Sequence, residues 1–415
     1  MKPQSPLPET ADIAIVGGGM VGLSLALLLA KQAPLAEILL IEALPLHGFA
    51  TDAILPPSFD ARSTALAESS RRIFENAGLW PLLESGVCAI KTIHVSDRGH
   101  PGATRMAAAE SGLDGLGYVV ENRQLGGALM AAVAERNNIR VLSPARVDRL
   151  APMAEGMNVV VDGGGCRVAL AVVADGANSS LLQQLGIHSQ CRDYGQSALI
   201  ANVALAQPHQ GVAYERFTDE GPMALLPLPN VGSEHRAALV WTLPPQRAAE
   251  LMLAEEAVFI DALHHRFGFR AGQIIHCGER SSYPLKLMVA EEQIRSHLAV
   301  VGNAAHFLHP VAGQGFNLAL RDVAKLAEMV GWAVRAGKNP GSLPVLERYL
   351  EAQERDQRNT IGFSHSLPAL FGNGAAPGIA MRNLGLMMLD LVPPARKEFA
   401  RFGAGLTYSA AKFPK

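Results

Sequence analysis

The sequence predicts an α/β fold that begins with a dinucleotide-binding βαβ unit, and three observations predict it. Asp12-Ile13-Ala14-Ile15-Val16 is an apolar run of strand length that meets glycines spaced G-x-G-x-x-G at Gly17, Gly19 and Gly22. An Ala/Leu-rich stretch of helix length, Leu23 to Ala30, follows, and a second apolar run, Ile38 to Ile41, ends in the acid Glu42. Near the other end, Leu298 to His306 is again a buried-strand pattern breaking at a glycine, followed by a Gly/Pro-rich loop and a long helical stretch. Strands alternating with helical patterns imply a largely parallel sheet.

Each part of the first unit has a physical job. Gly17 permits the tight turn, Gly19 lets backbone approach a pyrophosphate, and Gly22 lets helix and strand pack closely. Met20 and Val21 complete the helix start, whose unpaired N–H groups and positive dipole end suit that pyrophosphate. Glu42 lies 20 residues beyond Gly22, where a carboxylate holds ribose hydroxyls.

Composition sets the outer limits. A chain of 415 residues buries a large core and holds two domains, or one with an inserted lobe. A net charge of -2, with no Lys/Arg run, excludes a basic nucleic-acid stripe. The four cysteines lie far apart, without C-x-x-C spacing, so neither a zinc site nor a disulfide framework is expected. No metal site is expected at all. Met1 to Thr10, with three prolines and no apolar core, reads as a disordered lead rather than a signal peptide. The expected location is cytoplasmic.

Further along, Phe59-Asp60-Ala61-Arg62-Ser63 leads into a helical stretch closed by Gly78. Arg62 there is either a solvated arginine or a guanidinium reaching a cofactor. Arg123, at the start of a helix running to Asn137, invites an anion. Val159 to Ala174 reads as a hairpin whose second strand runs into Asp175-Gly176-Ala177-Asn178-Ser179; alone, this is a turn with a helix cap. Ser197 to Ser282 is mostly strand-patterned, with prolines marking edges and loops, and one helix from Glu250 to Phe267. Pro310, Gly313, Gln314, Gly315 and Asn317 form the loop opening onto the helix Leu318 to Ala336. Backbone amides there suit an electron-rich ring or an oxyanion. The tail stretch Arg382 to Val392, strongly apolar with basic flanks, is either a core or oligomer helix or one resting on a membrane surface.

Together the three glycine motifs resemble the single-component FAD-dependent aromatic hydroxylases of the para-hydroxybenzoate hydroxylase type. The matching residues are Gly17, Gly19, Gly22 and Glu42, then Asp175 and Gly176, then Gly302 with Pro310, Gly313 and Gly315. The family's usual Asp at position 303 is Asn303 here, whose amide still serves ribityl hydroxyls while removing a negative charge near the flavin. Phe59 to Arg62, Val95 to Gly99, Glu215-Arg216-Phe217-Thr218 and His309 to Asn317 are similar to the ubiquinone-biosynthesis branch, and the Gly302-Asn303 pair to its members acting on 2-polyprenyl-6-methoxyphenols.

The resemblance implies a Rossmann-like FAD-binding domain with an inserted, mostly antiparallel β substrate lobe and a C-terminal helical region. The expected layout is a lead at 1–11, FAD-binding parts at 12–180 and 291–345, the β lobe at 181–290, and helices and tail at 346–415. It implies hydroxylation of a prenylated methoxyphenol ring through a flavin C4a-hydroperoxide, with NAD(P)H and O2 as co-substrates. His306 and His309 stand as acid–base candidates on residue type alone, with a core or loop role as the alternative. A ubiquinone-biosynthesis complex, a peripheral contact at the inner membrane face and a homo-oligomer are compatible partners. A flavin oxidase of a small polar substrate and a non-catalytic assembly subunit are the competing readings.

Overall fold

The apolar run at the start of the chain lies at the centre of a parallel sheet, which explains why it is apolar throughout. In the computed structural model, which describes residues 6–46, 62–308, 313–372, 376–408 and 410–413 and not the side chains of 367–382, the strand Thr10–Val16 pairs in parallel with Ile38–Ile41 and with Gly164–Val173. The order continues outward to Ile139–Leu142 on one side and Leu298–Val300 on the other. Alternation sorts the central strand between two cores. Ile13 and Ile15 join Leu28, Leu129 and Val323 under the helices Met20–Gln32, Asn122–Ala134 and Gln314–Arg335. Ala14 and Val16 join Leu150 and Val159 of an antiparallel extension, Val147–Met153 and Gly156–Val161.

Thr10 and Ala11 already pair with Arg167 and Val168, so the last two residues of the segment read as a lead belong to the sheet. The stretch after Arg62 is also not helical from its start. Ser63–Ala67 is a strand on Gly117–Glu121, and the helix is confined to Glu68–Ala77, closed by left-handed Gly78. Asn317 forces this: its amide binds backbone groups of Ala65 and Ala67, fixing them extended from 250 residues away.

The second sheet has nine strands among the described residues. Its long strands Ser189–Leu205, Pro222–Val231, Glu234–Leu243 and Ser281–Ala290 come from the span read as a β lobe. Thr92–Asp97 and Ala103–Ala107 come from far upstream, and His306–Phe307 from downstream. The parallel pairing of Thr92–Asp97 with Val212–Phe217 brings together segments too distant for local pattern to join.

One face of this sheet carries Leu199, Leu239 and Trp241 under two helices, Pro245–Leu253 and Glu256–Phe267. Extended backbone at Ala254 and Glu255 divides what the sequence suggests is a single helix. The opposite face carries Ala213, Leu226, Leu228 and Ala238, which pack against Val119 and Ala65 of a third, three-stranded sheet on the cofactor side, formed by Ser63–Ala67, Gly117–Glu121 and Val87–Ile90.

Two C-terminal helices, Ala376–Leu391 and Pro393–Gly403, close over the hairpin of Thr92–Asp97 and Ala103–Ala107. Leu386 and Ala400 pack with Val95, Met106 and Phe217. Buried Asn383 accepts from the Gly102 N–H at 2.8 Å and donates to Asp97 at 3.1 Å. Asn383→Ala leaves both partners with an unmet bond, each costing about 1–3 kcal/mol when buried. The expected outcome is a lower unfolding midpoint in urea, with faster amide exchange concentrated in 376–403.

Candidate active site

Three chain breaks converge at the carboxyl ends of the parallel strands. Gly17 (φ 110°) leaves its strand so close to Ala174 that a side chain there would strike the Ala174 carbonyl. A methyl on Gly22 would strike the Gly17 carbonyl oxygen. Gly302 packs on Val21, where a Cβ would sit 3.1 Å from a valine methyl. Contacts of this closeness join Gly17, Asp175-Gly176 and Gly302-Asn303 into one rim.

That rim fits the adenine-dinucleotide half of FAD. Gly19 caps the helix Met20–Gln32 without any side-chain hydrogen bond, leaving the helix N–H groups available to a pyrophosphate. Glu42 accepts from the Gly18 N–H at 2.6 Å and from the Leu44 N–H at 2.8 Å. A carboxylate has about four acceptor sites, so Glu42 is oriented by the backbone and retains capacity for ribose hydroxyls. The protein packed around Asp175 raises its carboxyl pKa and Glu42 adds to the rise, while the Ser179 hydroxyl opposes it by donating at 2.7 Å. Ser179 also caps the following short helix by accepting from Leu182. Asn303 is exposed on the rim.

The third motif divides by role. Gly313 is left-handed (φ 60°) at the start of Gln314–Arg335, 3.4 Å from Ala65 as a Cβ would lie. Gly315 faces open space, as a backbone approached by a flat ring requires. Gln314 is buried and reaches the Gly403 carbonyl. Asn317 has no group left over for a cofactor: its oxygen accepts from Ala67 N–H and Ser70 O–H, and its nitrogen donates to the Ala65 and Gly313 carbonyls, all at 2.7 Å. It positions the loop rather than touching what the loop holds. Arg62 lies with its guanidinium 4.7 Å from the Tyr283 ring centre, across the gap between the two sheets. Arg123 is exposed in the first turn of Asn122–Ala134. Pro310 and His309 lie outside the described residues.

His306 does not meet substrate. It is 3% exposed, with Nδ1 3.6 Å from Asp322 Oδ2 in a sealed cluster. Burial lowers the His306 pKa and raises that of Asp322, disfavouring both charges. Gln353 donates to Asp322 at 2.8 Å, and Arg321 pairs with Asp356 at 2.6 Å beside it. Residue type marked this histidine as an acid–base candidate; only the packing of Gln314–Arg335 on Leu343–Gly372 makes it a core residue. Sequence reasoning missed Ala65 and Tyr283, which link the sheets and carry no local signal. No group of three or more His, Cys, Asp or Glu able to hold a metal occurs among the described residues.

A family model described as FAD binding domain matches residues 10–350. The chain belongs to this FAD-binding family. Within it, ubiquinone hydroxylase UbiL of Rhodospirillum rubrum is 35% identical over 398 residues, covering 96% of this chain and 90% of that protein. The 3-demethoxyubiquinol 3-hydroxylase of Escherichia coli is 31% identical, covering 96% and 99%. The p-nitrophenol 4-monooxygenase PnpA of Pseudomonas putida shares the fold, with a TM-score of 0.77 at 18% identity over 97% and 99% of the two chains. The protein is a flavoprotein monooxygenase with FAD as its cofactor.

FAD, when bound, accepts electrons from NAD(P)H and activates O2. The chain's own task is placement. The bare helix start would hold the pyrophosphate, Glu42 the ribose, and Gly302-Asn303 the ribityl region. The Gly313–Gly315 amides would face the ring edge, with Asn317 fixing the loop from behind. The largely apolar sheet face opposite would keep water from the reacting atoms. Gly22→Ala tests the cradle: FAD binding weakens at least tenfold, about 1.4 kcal/mol, read by flavin fluorescence titration, while far-UV circular dichroism is unchanged.

Proposed function

We propose that this protein hydroxylates the aromatic ring of a prenylated methoxyphenol in ubiquinone biosynthesis, with NAD(P)H and O2 as co-substrates. The observation that carries the reading is the sheet face opposite the FAD cradle. Its row Ile200, Val240, Ala224 and Val95 is apolar apart from Glu215 between the last two, as a flat phenol ring with a greasy tail demands, and among the described residues no arginine stands in that row to clamp a small carboxylate substrate. The kinship to proteins named for ubiquinone hydroxylation supports the same substrate class.

Anaerobic stopped-flow absorbance tests it. A short-chain 2-prenyl-6-methoxyphenol is expected to accelerate flavin bleaching by NADPH, and oxygen then to yield the hydroxylated quinol. Flavin reduction indifferent to the phenol, with no product, assigns the chain to a different substrate or to an assembly role.

We infer, in keeping with a polyprenyl substrate, that the protein works at a membrane surface. No helix among the described residues is long and apolar enough to cross one. The helix Ala376–Leu391 and the residue after it nevertheless expose Leu384 (61%), Met387 (43%), Met388 (52%), Leu391 (72%) and Val392 (37%). This i, i+3, i+4, i+7, i+8 spacing is one apolar stripe, flanked by exposed Lys397 and Arg401. A stripe of this kind suits a bilayer interface, where polyprenyl substrates reside. In co-sedimentation with anionic vesicles the wild type is expected to pellet and the double variant Leu384→Ser, Leu391→Ser to stay in solution. Equal partitioning removes the stripe from membrane contact and leaves a second copy of the chain to cover it.

A further inference from the structure

Glu215 is the acid that the site's construction leaves unexplained. It lies on Val212–Phe217, and alternation puts it on the face of Ala213 and Phe217, the face that looks toward the cofactor-side sheet. Its direct cross-strand neighbours are Ala224 and Val95. Beyond them stand Val240 and Thr104, so Glu215 interrupts an otherwise apolar row with one carboxyl. Ala213, two residues back, packs in the cluster that includes Ala65, and Ala65 touches Gly313 of the flavin loop. Phe217, two residues on, packs beneath Leu386 and Ala400 of the covering helices. Glu215 therefore stands between the flavin loop and the helical cover.

Nothing in the described structure neutralises it. Among the described residues Glu215 makes no hydrogen bond or ion pair, and its half-buried side chain still reaches accessible space. The charged groups nearest to that face are engaged with others: Asp97 with Asn383, Arg396 with Glu110, Arg236 with Glu121, and Arg62 over Tyr283; Arg216, next to it in sequence, alternates to the helix-covered face beside Met223. Thr104, on the next strand, has a buried hydroxyl without a partner. Apolar surroundings push the Glu215 carboxyl up to about 7. An unpaired acid in such a place costs stability unless something polar comes to meet it.

We propose that Glu215 is a catalytic residue that accepts the hydrogen bond of the substrate phenol and takes its proton as the ring is hydroxylated. This rests on the phenol reading above. The phenol O–H bond breaks and the proton moves to a Glu215 oxygen; the electron pair left on the phenol oxygen is pushed through the ring into the new C–O bond, and when the hydroxylated carbon then loses its hydrogen as a proton the ring regains aromaticity and the phenol oxygen takes a proton back. The oxygen atom comes from the activity already assigned. A carboxyl titrating near neutrality is a stronger base than an ordinary glutamate and is matched to working pH.

The test uses the FAD-loaded enzyme, with Glu215→Gln and Glu215→Asp, the short-chain prenylated methoxyphenol, and 4-nitrophenol as a chromophoric probe. In the wild type, kcat/KM for the phenol rises as pH rises through about 7, because the ionised carboxylate is the active form. Glu215→Gln is expected to lose about 100-fold or more and to lose that limb of the profile, with flavin content unchanged; Glu215→Asp keeps the limb. The second readout needs no turnover. A neighbouring carboxylate holds bound 4-nitrophenol neutral, so its absorbance titration lies about one unit or more higher in the wild type than in Glu215→Gln. Coincident titrations and an unaltered pH profile overturn the assignment. If the prenylated phenol is not turned over but the probe titration still shifts, the substrate reading fails and Glu215 stands.

Discussion

The whole arrangement depends on backbone segments approaching more closely than side chains allow. Gly22 lies against the Gly17 carbonyl, Gly17 against Ala174, and Gly302 against Val21. These contacts fasten strands from three distant parts of the chain into one rim. The helix Met20–Gln32 then aims its bare start into that rim, with Glu42 tied to the Gly18 amide beside it. Any Cβ at Gly17 or Gly22 pushes helix and strands apart and opens the cradle, although the hydrophobic core behind would survive.

Behind the rim, polar groups carry fixed positions from one element to the next. Asn317 uses all four of its hydrogen-bonding positions on Ala65, Ala67, Ser70 and Gly313, tying the flavin loop to the strand and helix beside it. A fully satisfied buried amide specifies one geometry, since every alternative leaves a buried group unpaired. His306 and Asp322 contribute differently. Sealed between two long helices and an edge strand, where burial works against charge on either, they serve the core.

The second sheet has two unlike faces. Its helix-covered face packs Trp241 against Phe259 and adjacent leucines, giving the rigidity a substrate platform needs. Its other face is shared between the cofactor-side sheet and the C-terminal helices, and the row bearing Glu215 lies between these two contacts. A single carboxyl on an otherwise apolar floor is specific in chemistry, because it offers a phenol a charged acceptor at one fixed place.

The sequence by itself determined the cofactor half of this protein. The residues Gly17, Gly19, Gly22 and Glu42 sit in local order, because a pyrophosphate at a helix start demands a fixed spacing within one βαβ unit. The strand at Leu298–Val300 and its glycine break were legible for the same reason. Tertiary structure alone decided the rest. Asn317 reads as a cofactor ligand until its four partners appear, and His306 as an acid–base group until two helices close over it. Thr92–Asp97 joins the substrate sheet through a parallel pairing with residues more than a hundred positions away. Glu215 belongs to a recognisable motif, yet only the pleat shows which face it occupies and that no cation among the described residues answers it. Local spacing encodes what one turn of chain must do; burial and partnership are properties of segments that meet only after folding.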